Sequence, residues 1–348
     1  MTSPQPSIRS IARMVGLSKA TVANALRGDT TVAPATARRV REAAAQVGYR
    51  RNPMVTTVMS AMRRLHGYAF HGVIACVDFA EPDRPDHGPF HRQLQLGAKA
   101  RAEDLGFTLE AYVLGPENLP VARLDSILKS RGIEGLVLLP FWRPHDLARL
   151  DWGAYAAVSA DYVIAPPYLH AVCCDHYRSI LVLLHDLVAR GYRRPGVFLE
   201  AGRDERVHLR MSAAFHAFQE GNPEIEAVPV RRAASITSAE FLPWFQRYRP
   251  DVVLSHHVEV LDMMKDAGCR VPSQAGFACL NLTKTTRAVA GLDQQPALIG
   301  ARSVELLIAQ LQRNERGLPE CPSSLTLPAK VVDGPTLRRR PRTGSSNP

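Results

Sequence analysis

Lys19, Asn24 and Arg27 can each make hydrogen bonds to a partner, and their spacing places them together. In the segment from Ser18 to Arg27, Val22, Ala25 and Leu26 fall on one side of a helix. Lys19, Ala20, Ala23, Asn24 and Arg27 fall mostly on the other. Ser18 stands where its side chain can accept a backbone N–H of the first turn. Upstream, Ile8, Ile11, Ala12 and Val15 recur at i, i+3, i+4 and i+7, the apolar face of a short helix, and Gly16 follows where a tight turn needs it. Two short helices joined this way, the second apolar behind and readable in front, make a helix-turn-helix pattern.

Other residue types that could do chemistry are less well arranged. His256, His257 and Glu259 could suggest a metal, but adjacent histidines in a strand point to opposite faces, and no second ligand pair has suitable spacing. No metal site is expected. The cysteines, at 76, 173, 174, 269, 279 and 321, form no CxxC pair and lie mostly in apolar runs, which reads as buried or free thiols in a reducing cytoplasm. No GxSxG, Walker A or HExxH sequence occurs, and no GxGxxG follows the first strand, so neither an enzyme nor a cofactor is expected.

Charge singles out the same end of the chain. Residues 1–66 hold eleven Lys and Arg against Asp29 and Glu42, the segment from Pro335 adds four arginines, and the remainder is slightly acidic. A basic head on a near-neutral body points to a polyanionic partner for the head. No stretch approaches the roughly 18 to 20 apolar residues that span a bilayer, and the first ten residues have no apolar core of a secretion signal.

The elements behind the recognition segment continue the pattern. A third helix is expected from Pro34 to Gly48, burying Ala37, Val40, Ala44 and Val47 with Arg38, Arg39 and Arg41 outside. Asn52 can then cap, and Pro53 can open, a further helix. Its centre, Val55, Thr56, Thr57 and Val58, is four β-branched residues in a row. Such a helix is marginal alone in water and should form only against a partner.

The order A-x-x-x-G-L-S-x-x-T-V at Ala12 to Val22, V-A-P-A-T at Val32 to Thr36 and V-G-Y-R at Val47 to Arg50 resembles the lactose-repressor (LacI/GalR) family of transcriptional regulators. The resemblance implies base-reading positions at Lys19, Ala20 and Asn24 and phosphate contacts at Ser7, Ser18, Thr21 and Thr36. Asn24 could pair bidentately with adenine and Lys19 could donate to guanine, whereas Ala20 offers only apolar contact. The resemblance also implies a hinge (Asn52, Val55, Val58, Met59) that enters the minor groove from each half of a homodimer. Val58 stands where the family carries a leucine wedge, with Met59 beside it.

Beyond residue 70, strand-like runs (Gly72–Val77, Phe107–Val113, Gly135–Leu139, Ala156–Ser159, Gly196–Leu199, Asp251–Leu254, Gly276–Cys279) alternate with amphipathic stretches (Leu94–Leu105, Tyr177–Arg190, Val207–Phe218, Val258–Ala267). This alternation implies parallel sheets covered on both faces. The family's periplasmic-binding-protein-like body is the fold implied. It comprises two doubly wound α/β subdomains with chain crossings near Ile164, Gly291 and Pro322, and an effector held in the cleft beyond the strand ends. Arg210 matches the family's effector arginine. Asn281 stands where the family carries an acid, and Asp78, Phe79 and Asp161 are further candidates by position at strand ends.

The expected organisation is a helix-turn-helix domain over residues 1–50, a hinge over 51–66, an effector-binding and dimerisation body over 67–334, and a disordered basic tail over 335–348. The expected function is a cytoplasmic, nucleoid-associated bacterial repressor. It would bind a pseudo-palindromic double-stranded operator as a homodimer, under control of a small polar metabolite, a sugar or sugar acid, with no role for a membrane. Alternatives are an effector-independent regulator whose body only dimerises, and a small-molecule-binding protein with no role on DNA.

Overall fold

The computed structural model describes residues 8–27, 32–46, 72–81 and 88–340. The head comprises α1 (Ile8–Val15), α2 (Lys19–Arg27) and α3 (Pro34–Gln46). Ile11, Ala12, Val22, Ala25, Ala37, Val40, Ala43 and Ala44 form its core. The small side chains let three short helices approach closely, and each contributes part of one shared apolar face. Val47 and Gly48, expected in α3, lie outside the described residues, as does the whole hinge.

The body contains two six-stranded sheets among the described residues. The first is ordered β11-β5-β4-β3-β1-β2 and is parallel throughout. Its strands are β1 (Val73–Phe79), β2 (Thr108–Leu114), β3 (Gly135–Leu138), β4 (Ala156–Ser159), β5 (His170–Cys174) and β11 (Ser324–Leu327). The second is ordered β12-β10-β9-β8-β6-β7, comprising β6 (Pro195–Glu200), β7 (Arg231–Ala233), β8 (Val252–Ser255), β9 (Gly276–Cys279), β10 (Ala290–Asp293) and β12 (Lys330–Val332). Only β12 runs antiparallel, against β10. Every residue of β3, β4, β8 and β9 is buried, as strands covered on both faces require.

The covering helices are α4 (Pro89–Asp104), α5 (Val121–Ser130), α6 (His176–Ala189), α7 (Ala201–Arg206), α8 (Arg210–Gly221), α9 (Ser238–Tyr248), α10 (Val260–Asp266) and α11 (Pro296–Arg313). Helices α5, α9 and α11 are absent from the stretches expected from periodicity. The omission of α11 matters most, because it leaves the second sheet and packs against α4 on the first. Gly97 and Gly300 make this contact possible. A Cβ on Gly97 would lie 1.9 Å from the Ala297 carbonyl oxygen, and one on Gly300 2.0 Å from that of Leu94.

Among the described residues the chain crosses between the subdomains three times. The first is at Asp175, not near Ile164, because β5 is one more strand of the first sheet. After it, Ile180, Leu183 and Leu187 of α6 pack with Phe215 and Phe218 of α8 in the second subdomain. Gly291 lies inside β10, and the second crossing follows at Gln294–Gln295. Pro322 precedes β11, and the third crossing falls at Pro328–Ala329, between β11 and β12.

The segment from Pro335 to Arg340 is also not the disordered tail expected. The Thr336 carbonyl accepts Phe277 N–H at 2.9 Å and its hydroxyl accepts Ala290 N–H at 2.9 Å. Leu337 is buried, and the Arg338 guanidinium covers the Tyr192 ring at 4.4 Å. Residues 341–348 lie outside the described set. Among the described residues no helix is long and apolar enough to cross a membrane.

Candidate functional site

The head's turn is built by local chemistry. Gly16 takes φ +66°, in the left-handed region that favours glycine, and Leu17 N–H then reaches back to the Ala12 carbonyl at 3.0 Å. Ser18 Oγ accepts Thr21 N–H at 3.0 Å and sits 2.8 Å from the Thr21 hydroxyl, capping α2. Arg39 of α3 donates to the Val15 carbonyl at 3.2 Å, satisfying an open acceptor at the end of α1. Lys19 and Ala20 lie in the first turn of α2, Asn24 is half-buried on the same helix, and Thr36 is half-buried in the first turn of α3. Ser7, Asn52, Val55, Val58 and Met59 lie outside the described residues.

A second site lies between the two sheets, where the strands of both subdomains end. It has about 590 Å³ of atom-free space, part of it open to solvent. From the first subdomain come His91, at the start of α4, Trp142, beyond β3, and Asp161, beyond β4. From the second come Arg206, ending α7, Asn281, beyond β9, and Gln294, beyond β10. Strand C-termini are where open α/β sheets bind ligands, because the chain must leave the sheet there and its loops leave a crevice.

Two contacts hold the cleft walls together. Arg206 Nη1 donates to Asp161 Oδ2 at 2.8 Å, with the side chains only 7% and 9% exposed. Asp161 meets it from a backbone φ of +153°, a conformation that side-chain-bearing residues rarely adopt. The indole of Trp142 meets two cations, the Arg203 guanidinium carbon 5.0 Å and that of Arg206 4.7 Å from its ring centre. Buried Glu81 fixes this loop by accepting the Trp142 N–H at 2.9 and 3.0 Å and the Arg143 N–H at 2.9 Å. Burial pushes His176, which also lines the cleft, down to about 4, against the attraction of Asp161, so its imidazole is neutral at pH 7.

Both parts of the chain resemble known proteins. The family model for bacterial regulatory proteins of the lacI family matches residues 7–52, and that for periplasmic binding protein-like domains matches residues 184–337. The chain belongs to the LacI family. It is thus a DNA-binding transcriptional regulator with a ligand-binding body, and not an enzyme. The HTH-type transcriptional regulator KdgR of Bacillus subtilis (strain 168) is 20% identical, the alignment covering 95% of this chain and 97% of KdgR. The fold is that of the transcriptional regulator CelR–cellobiose complex, with TM-score 0.60, 18% identity and coverage of 95% and 99%. The lac repressor dimer bound to operator and the anti-inducer ONPF aligns at TM-score 0.54 and 17% identity, covering 96% and 99%.

Within this LacI-family body, Asp161 and Asn281 stand on the cleft wall, whereas Arg210, Asp78 and Phe79 do not. The reason at Arg210 is a break in the helix expected over Val207–Phe218. His208 and Leu209 both take left-handed φ, 56° and 59°, splitting α7 from α8. Arg206 therefore faces the cleft, and Arg210 lies over the Tyr162 ring at 4.9 Å. Phe79 is buried and stacks on His145 at 4.4 Å, while Asp78 Oδ1 accepts Phe79 N–H at 2.8 Å. Arg203 and Arg206 escaped the sequence reading, although their i, i+3 spacing just after a strand end is a visible signal.

His256 and His257 do not point to opposite faces as expected, because they lie past the end of β8, where strand alternation no longer applies. Their rings lie 4.6 Å apart, and both sit beside Glu200 at the end of β6. The two imidazoles and Arg203 hold the Glu200 carboxyl far below the usual range, against its burial. Arg203 Nε donates to Glu200 Oε2 at 2.7 Å, and His257 Nε2 lies 3.1 Å from the same oxygen. Arg203 and the imidazoles already meet this carboxylate, so the cluster reads as a polar brace under Arg203.

Proposed function

We propose that this LacI-family regulator is a homodimeric repressor of a pseudo-palindromic operator, controlled by a small polar metabolite, a sugar or sugar acid, bound between its subdomains. The observation that carries this reading is a cleft at the strand ends of both sheets, walled by polar residues from each, in a chain whose head has a capped, basic helix-turn-helix. The neighbours support it: one was solved with cellobiose, another as a dimer on its operator with an anti-inducer.

Lys19 and Asn24 would read base edges from α2, with Ala20 in apolar contact. Ser7, Ser18, Thr21 and Thr36 would fix the register on phosphates. Asn52, Val55, Val58 and Met59 would form the hinge in the minor groove. A ligand preferring one arrangement of the subdomains would shift the spacing of the two hinges and so the operator affinity.

Selection from random-sequence duplexes with the full-length protein tests the DNA half. A two-fold related site should be enriched, Asn24→Ala should relax one position in each half-site, and affinity should fall steeply with salt. Enrichment of no site would sink the repressor reading. Operator binding measured with and without sugars and sugar acids tests the other half.

A further inference from the structure

Arg206 is the cleft-wall residue with the most unused hydrogen-bonding capacity. Its Nη1 is taken by Asp161, but its Nε and Nη2 are buried with no hydrogen-bond partner. These two N–H groups share one edge of the guanidinium plane, the edge that meets a carboxylate with two parallel hydrogen bonds. The Trp142 Nε1, on the ring that Arg206 covers, is likewise buried without a partner. Leaving buried donors unsatisfied is costly, and more so on a charged group. Three such donors around one cleft call for a ligand that brings acceptors.

The rest of the wall says what else that ligand carries. Asn281 Oδ1 already accepts the Thr283 N–H at 3.1 Å and the Thr283 hydroxyl at 2.5 Å, which leaves the amide N–H groups of Asn281 to donate. Gln294 is the complement: its Nε2 donates to the Leu280 carbonyl at 2.9 Å, leaving its oxygen to accept. A donor and an acceptor side by side suit hydroxyl groups, which do both. Charge limits the anion to a single negative charge. Arg203 is neutralised by Glu200, His176 is neutral, and Asp161 sits 2.8 Å from the cation that must receive the ligand. A dianion there would bring a second charge beside Asp161 with no further cation to meet it.

We propose that the effector is a monoanionic polyhydroxy acid whose carboxylate takes the Nε–Nη2 edge of Arg206 beside Trp142 Nε1, so that Arg206, not Arg210, selects it. The inference rests on the cleft being the effector site. Asp161 and Trp142 belong to the first subdomain and Arg206 to the second, so a carboxylate on this edge adds charge directly at the contacts that join the cleft walls. That gives the ligand a differential effect on the two arrangements of the body, which any switch requires.

The test uses full-length protein, with calorimetric titration and thermal melting against gluconate, glucuronate, neutral glucose and glucose 6-phosphate. At least one of the two carboxylates should bind and raise the melting temperature. Arg206→Gln should weaken that binding tenfold or more, and Arg206→Lys nearly as much, because an ammonium cannot make two parallel bonds. Arg206→Met with Asp161→Leu removes both buried charges together; it should fold and still not bind the acid. Glucose bound as tightly as the acids, or acid binding that survives Arg206→Gln, overturns the inference and leaves effector control standing. Preference for glucose 6-phosphate over both acids overturns it in favour of a dianion. If none of the four compounds binds, the effector reading falls with it.

Discussion

The head and the cleft solve recognition in opposite ways. In the head, the expected base-reading residues come from one nine-residue helix, α2, whose inner face is packed and whose start is capped by its neighbour Ser18. In the cleft, the wall residues come from several strand ends and helix termini, and the sides belong to different subdomains. A surface helix is set by residues within a few positions of one another. A cleft is set by topology, so its chemistry depends on contacts made far away. Substitutions distant from the cleft should therefore damage it, while the head should respond mainly to local ones.

The sharpest break would come at Gly97. Valine there would drive Cβ into the Ala297 carbonyl oxygen, 1.9 Å away, and force α4 from α11. We expect a loss of about 5 kcal/mol or more, enough to prevent the body from folding cooperatively. Urea denaturation followed by circular dichroism would read it, and an unchanged midpoint would mean that the helices separate freely. Next in size is Asp161→Ala, which strands the buried Arg206 charge. Breaking such a pair costs about 3–5 kcal/mol, and the loss should be confined to the body transition.

How far each region could be read from the chain follows the same division. Strands β4 and β9 have the bounds expected, because fully buried parallel strands are short apolar runs between turn residues. Ser18 and Gly16 were legible because capping and a tight turn act within three residues. Arg206 was not, because its direction depends on left-handed His208 and Leu209, and a leucine has nothing that favours that conformation. What holds it is tertiary and local bonding together: Leu209 N–H donates to the Asp204 carbonyl at 2.8 Å, and the Ser212 hydroxyl to the buried Asp204 carboxylate at 2.6 Å. The first crossing was misplaced for a related reason, since β5 joins the first sheet through pairing with β4 and with β11, some 150 positions away.

His176 sharpens the comparison through pH. Burial lowers it from the ordinary 6.5 to about 4, so below pH 6.5 the unfolded chain takes a proton that the folded chain refuses. Its contribution, at most about 3 kcal/mol, is full above pH 6.5, fades as pH falls and is gone below about 4. Urea midpoints of the body should drop across that window, and His176→Gln should flatten the drop. An equally steep profile in the variant would assign the acid sensitivity to other groups. The head, whose described residues include no histidine, should not share this slope between pH 6.5 and 5.

The smallest expected effect is the most local. Ser18→Ala removes the acceptor for Thr21 N–H, a change that costs about 1 kcal/mol at a helix start. Amide hydrogen exchange in the full-length protein should then run about fivefold faster through α1, α2 and α3, since about 1.4 kcal/mol corresponds to a factor of ten. Exchange in β3, β4, β8 and β9 should not change, because no cleft or core contact reaches Ser18 through the shared apolar face of the head. If body amides accelerated as well, the two regions would be one cooperative unit and the division between local and topological recognition would fail. If the head alone did not respond, Thr21 N–H must find another acceptor in the variant. The start of α2 would then be held by packing of Val22 and Ala25 rather than by its cap.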